Sequence, residues 1–123
     1  MKPISIMRTV RVAVVALMLV AGSTAAFANA RGDARAQVAF GIKAAQDGLW
    51  DEAMFRWNKA VKLDPTYAAA YNDLAVAYEH QGMPDKAREA YEKAIRLDPG
   101  NDQIRQNYEM FKEINDRTTR HPH

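Results

Sequence analysis

The chain has 123 residues, the size of one domain, and its 17 Lys+Arg against 15 Asp+Glu give a formal charge of +2. No cysteine is present, which excludes disulfides, thiolate metal sites and thiol nucleophiles. The positive excess sits at the start: Lys2, Arg8 and Arg11 precede the first acidic residue, Asp33, and from Arg31 onward 14 Lys+Arg face 15 Asp+Glu, so basicity gives no ground for nucleic-acid binding.

Residues 1–30 have the pattern of an export signal. Lys2, Arg8 and Arg11 form a positive n-region, residues 12–21 (VAVVALMLVA) an uncharged apolar core, and Gly22, Ser23 and Thr24 break it. Ala26-Phe27-Ala28 and Ala28-Asn29-Ala30 both fit A-x-A cleavage, placing the cut after Ala28 or Ala30. Arg8 and Arg11 are not adjacent, against a twin-arginine signal. The alternative is an uncleaved membrane anchor, since residues 12–28 carry no charge and roughly 17–25 such residues cross a bilayer. Both readings put the remainder outside the cytoplasm, in a bacterial periplasm or, if anchored in the inner membrane, facing it.

After the leader the apolar residues recur at steps of three and four, and strand signals are absent. Helices are expected at 33–46, 50–62, 67–80, 84–96 and 102–116. Gly48 and Gly82 stop the first and third, because glycine accepts the left-handed conformation that ends a helix. Asp64-Pro65 and Asp98-Pro99 stop the second and fourth, since the residue before proline is pushed out of the α region. Pro84 opens the fourth helix, where its missing N–H costs nothing, and Asn101 caps the fifth. The stretch 117–123 (RTTRHPH) has no apolar residue and is expected to be a disordered tail.

Residues 34–67 and 68–101 align with 10 identities in 34, eight of them between Gly48 and Pro65. The shared skeleton is Gly48/Gly82, Asp51/Asp85, Ala53/Ala87, Lys59/Lys93, Ala60/Ala94 and Leu63-Asp64-Pro65 against Leu97-Asp98-Pro99. The second unit supplies Tyr71-x2-Leu74-Ala75-x2-Tyr78, then Ala87-x3-Tyr91, Ala94 and Pro99. The first supplies Gln37-x2-Phe40-Gly41-x2-Ala44, then Ala53-x3-Trp57, Ala60 and Pro65, departing at Gln37 and Ala44 where an aromatic is expected. The pattern resembles the tetratricopeptide repeat, or TPR. That resemblance implies an all-α fold over residues 31–116: two helix-turn-helix repeats, 34–67 and 68–101, closed by a capping helix at 102–116 in a short right-handed solenoid. Small residues at Gly41/Ala75, Ala53/Ala87 and Ala60/Ala94 admit close helix crossings, and Phe40, Trp57, Leu74, Tyr78 and Tyr91 are the expected core.

The resemblance further implies that the first helix of each repeat lines a concave face. Its groove positions fall on Arg35, Val38 and Ile42, on Asn72, Val76 and Glu79 with His80 beside them, and on Gln106 and Met110 of the cap. This mixture suits an extended or helical peptide better than a metal or a phosphate. A carboxylate clamp of the chaperone-binding kind lacks its cations, because Val38, Ile42 and Asn72 stand at those positions. Arg31-Gly32-Asp33 is a chance tripeptide beside the cleavage site, and His121-Pro122-His123 forms no site of defined geometry. No nucleotide, metalloprotease or serine-hydrolase motif occurs, so neither catalysis, a cofactor nor a metal is expected. The expected function is an exported interaction scaffold holding a segment of an envelope protein. Self-association, up to a homodimer, and a membrane-tethered accessory subunit are the alternatives. Two repeats are fewer than the three usually needed for a stable array, which makes the first helix pair the expected weak point.

Overall fold

Two glycines and two Asp-Pro steps divide the chain, and each does so by identifiable backbone chemistry. Gly48 and Gly82 take φ of 78° and 70°. Around them Leu49 N–H donates to the Ala44 carbonyl (2.8 Å) and Gly48 N–H to that of Ala45 (3.0 Å), and Met83 and Gly82 repeat the pair on Tyr78 and Glu79 (2.9 and 3.0 Å). These are paired six-to-one and five-to-two closures that satisfy the last helical carbonyls. Asp64 and Asp98, each before a proline, are extended at φ/ψ −139°/93° and −142°/73°. The Asn101 side chain caps the next helix by accepting the Ile104 N–H at 3.2 Å.

The computed structural model describes the backbone of residues 3–120 and the side chains of residues 24–120. The elements are α1 (Pro3–Gln46), α2 (Trp50–Leu63), α3 (Ala68–His80), α4 (Pro84–Leu97) and α5 (Asp102–Arg120), with no strand among the described residues. α1 pairs with α2 and α3 with α4; α2 then packs on α3, α4 on α5, and α1 touches α3. Helices α1, α3 and α5 thus form one layer and α2 and α4 the other. Alanines at the crossings are fully covered: Ala53, Ala60, Ala87 and Ala94 are each 0% exposed. Around them Trp57, Leu74, Tyr91 and Phe111 are buried and Tyr78 is half-buried. Tyr91, Tyr108 and Phe111 form one aromatic cluster, with ring centroids 5.5–6.2 Å apart, that seats α5 on α4.

Three expectations need correction. The first helix does not begin at 33: α1 runs unbroken from Pro3, through Gly22–Thr24. Six alanines between residues 25 and 36 favour helix, and Arg31 ties this stretch to the α2–α3 turn. Its guanidinium pairs with Asp64, donates to Thr66 Oγ1 at 3.0 Å and lies 5.2 Å from the Tyr67 ring centroid. Burial alone raises the Asp64 pKa, but the Thr66 and Arg31 hydrogen bonds outweigh it and hold the carboxyl below its usual value. Asp64→Ala is expected to cost no more than about 1 kcal/mol, because Arg31 is partly solvated. In the uncleaved chain it should also speed amide exchange across residues 24–33; unchanged exchange there contradicts the tie.

Secondly, Phe40 is not core but 59% exposed. Its counterpart Leu74 packs against α2 of the preceding repeat, and among the described residues no helix pair covers Phe40 in the same way. Phe55, also 59% exposed, shares this bare end, and the Arg56 guanidinium lies 5.7 Å from both rings. Thirdly, residues 117–120, expected in the disordered tail, continue α5. Arg117 pairs with Glu113, and the Thr118 and Thr119 hydroxyls donate to carbonyls one turn back. His121–His123 lie outside the described residues, as do Met1 and Lys2 and the side chains of Arg8, Arg11 and the apolar run 12–21. Among the described residues no helix is long and apolar enough to cross a membrane.

Candidate functional site

The repeat register places corresponding side chains of α1, α3 and α5 along one layer, and the eight expected groove residues separate into distinct groups. Ile42 and Val76 come together. With Gln46, Trp50, Trp57 and Asp73 they line a cavity of about 300 Å³ between α1, α2 and α3. Trp57 is locked in place, its indole N–H donating to the Val38 carbonyl at 3.2 Å. Trp50 is held from behind by the His80 ring, stacked at 4.0 Å with an 18° interplanar angle. Gln106 and Met110 line a second, shallow depression of about 600 Å³ along α5, with Asp102, Arg105, Glu109 and Glu113. Arg35 belongs to neither: it borders a polar recess with Thr66, Tyr67, Asp98 and Asn101.

Val38 and Asn72 are corrections. Both are buried, at 6% and 8% exposure, and offer no side chain to a ligand. They stand 34 residues apart at the seams between successive helices of the same layer, where the following repeat covers them. Val38 packs with Ala70, Leu74 and Ala77 of α3. Asn72 accepts from Asn107 Nδ2 of α5 at 3.1 Å and donates its own amide to Asp73 at 3.3 Å. Glu79 is occupied within the fold, accepting the Tyr91 hydroxyl at 2.5 Å. Burial, that hydrogen bond and the charges of Glu79 and Asp73 all drive the Tyr91 pKa upward, so the phenol stays neutral.

Sequence reasoning missed Asp73 and Trp50. The signal for Asp73 was present: it is the one charged residue between Ala68 and Tyr78. Burial pushes its carboxyl up to about 6, opposed by the Asn72 hydrogen bond. Among the described residues no ion pair includes Asp73 or Glu79. Helices α1 and α5 of this layer expose Phe27, Phe40, Ile42, Met110 and Ile114, and of these Ile42 at 41% and Met110 at 62% are the expected groove residues, set beside carboxylates and amides. No nucleophile–base pair is assembled around them. Such a surface can hold a chain with alternating apolar and polar groups.

The Tetratricopeptide repeat family model matches residues 68–101, and a second, described as TPR repeat, matches 45–82. Tetratricopeptide repeats are thus present in this chain, and the first match coincides with the second internal unit. The chain is similar to the type IV pilus assembly protein PilF of Pseudomonas aeruginosa, at 34% identity over 66% of this chain and 32% of that protein. It is similar to the photosystem I assembly protein Ycf3 of Rippkaea orientalis, at 35% identity over 50% of this chain and 43% of that protein. The crystal structure of MamA superimposes with a TM-score of 0.63 at 31% identity, covering 68% of this chain and 49% of that one. The chain spans less than half the length of each of these proteins.

Proposed function

We propose that this protein is a non-catalytic interaction scaffold, exported to the cell envelope, which holds a peptide segment or helix of an envelope partner on the layer formed by α1, α3 and α5. One observation carries the reading: Ile42 and Met110 are solvent-exposed on that layer, each beside polar and charged side chains, while the side chains that stabilise the array are buried between the helices. Two relatives are named as assembly proteins, which supports the reading. Export rests on the leader, and N-terminal sequencing of the protein recovered from cells tests it. A start after Ala28 or Ala30 is expected; an intact Met1 outside the cytoplasm points to the tethered alternative, and a cytoplasmic protein overturns export.

Binding is tested by placing a photo-crosslinking amino acid in the full chain in cells. At Gln106 or Met110 it should give a discrete adduct, and at the outer-layer position Lys62 or Arg96 none. Equal adducts at both sets of positions contradict the assignment.

Self-association is favoured by a separate observation, the bare pair Phe40 and Phe55. Light scattering over rising concentration should then show dimers that Phe40→Ser with Phe55→Ser abolishes, at a stability change within about 0.5 kcal/mol for exposed sites. A monomer at every concentration removes this reading.

A further inference from the structure

The cavity between α1, α2 and α3 has a feature that a general peptide groove does not require: a carboxylate, Asp73, in its lining. Asp73 takes one hydrogen bond, from Asn72, although a carboxylate has about four acceptor sites. No cation of this chain pairs with it, among the described residues. A partly buried carboxylate without a counterion is costly, and an arriving cation offsets the cost. Apart from the Gln46 amide the remaining walls are apolar: Ile42, Ala45, Val76 and the two indoles of Trp50 and Trp57. Aliphatic stems pack on such walls, and indole faces attract cations. One carboxylate beside one amide offers too few ligands for a metal ion. Resting on the reading that this layer takes a peptide segment, we propose that the cavity is a subsite for a lysine or arginine side chain, its cation on Asp73 and its stem between Ile42, Val76 and Trp57.

Ionisation of Asp73 is then a condition of binding. The cavity walls contributed by α1 and α2 are uncharged. From α3 the other titratable groups are Glu79, which accepts the Tyr91 hydroxyl, and His80, stacked on Trp50, and from α4 it is the Tyr91 hydroxyl, whose ionisation lies far above neutral pH.

The test follows the indole N–H resonances of Trp50 and Trp57 in the full-length chain during titration with Nα-acetyl-lysine methylamide, Nα-acetyl-arginine methylamide and the norleucine counterpart. The basic amides should give saturable shifts at pH 7.5, at least tenfold weaker at pH 5 and in Asp73→Asn, and norleucine none. Ile42→Lys should place an ammonium in the cavity and abolish the response. His80→Phe keeps the stack and should keep the pH dependence; its loss there would assign the titration elsewhere and overturn the role of Asp73. Absence of saturable shifts, equal shifts with norleucine, or unchanged binding in Asp73→Asn also overturns the proposal. Crosslinks at Gln106 and Met110 that persist while the amides fail overturn the subsite alone. Loss of those crosslinks removes the peptide reading and the subsite with it.

Discussion

Gly41→Ala is expected to destabilise the first repeat by about 3 kcal/mol, the upper end of what overpacking costs. A β-carbon at position 41 would sit 2.3 Å from Trp57 Nε1, with two further indole atoms at 2.6 and 2.8 Å. The indole cannot yield, because its N–H is bonded to the Val38 carbonyl and the ring is 3% exposed. Alanine would otherwise favour the helix by about 1 kcal/mol over glycine, so a net loss measures the clash directly. The second repeat shows the compensated version. There Ala75 and Tyr91, a smaller ring, are both buried in one cluster. W57Y in the Gly41→Ala background is therefore expected to recover part of the loss, and the double-mutant cycle by urea denaturation gives the coupling. Additive effects, or a Gly41→Ala chain that melts like the parent, would show that the two residues do not meet.

Asp73→Asn should act in the opposite direction and only at neutral pH. The folded-state pKa of Asp73 is raised from 3.8 to about 6, chiefly by burial. A carboxyl with a raised folded pKa favours the folded state while protonated, fully below its unfolded value, and that contribution is lost as pH rises through about 6. At pH 7.5 the ionised side chain then costs on the order of 2–3 kcal/mol relative to a neutral one of the same shape. Asparagine is expected to restore that amount at pH 7.5 and to change little at pH 4. Denaturation at the two pH values checks it, and equal effects at both would mean that burial of charge is not the cause. A side chain that weakens the fold at neutral pH while facing an open cavity fits a group kept for binding rather than for stability.

The helix breaks were legible because each has a local cause: glycine at positive φ, or a residue driven extended by the proline after it. The crossing alanines were legible because the two units repeat them in phase. The beginning of α1 was not, since nothing in the alanine-rich stretch marks a start, and its tie through Arg31 to Asp64 spans 33 residues. Phe40 shows a different limit. Repeat phase assigns a residue to a helix face, but whether that face is covered depends on an element that precedes it in space. Val38 and Asn72 failed for the converse reason: they occupy groove positions in register, yet the neighbouring helix of the same layer closes over them. Asp73 was visible as an isolated charge, and only the arrangement of its neighbours revealed that no cation answers it.

The bare end carrying Phe40 and Phe55 also bears on the stoichiometry of any assembly. α5 covers the opposite end of the array with its Ile104 and Phe111 face, and its outer surface carries three ion pairs beside the exposed Met110 and Ile114. Head-to-tail growth would need the two phenyl rings to fit this unlike surface. Contact between two like ends around a two-fold axis would bury the same residues of each copy against its twin. Such a contact uses up the adhesive surface of both molecules at once. Association of like ends would close at two copies, whereas head-to-tail contact would give a filament, so the size of any assembly tells the two apart.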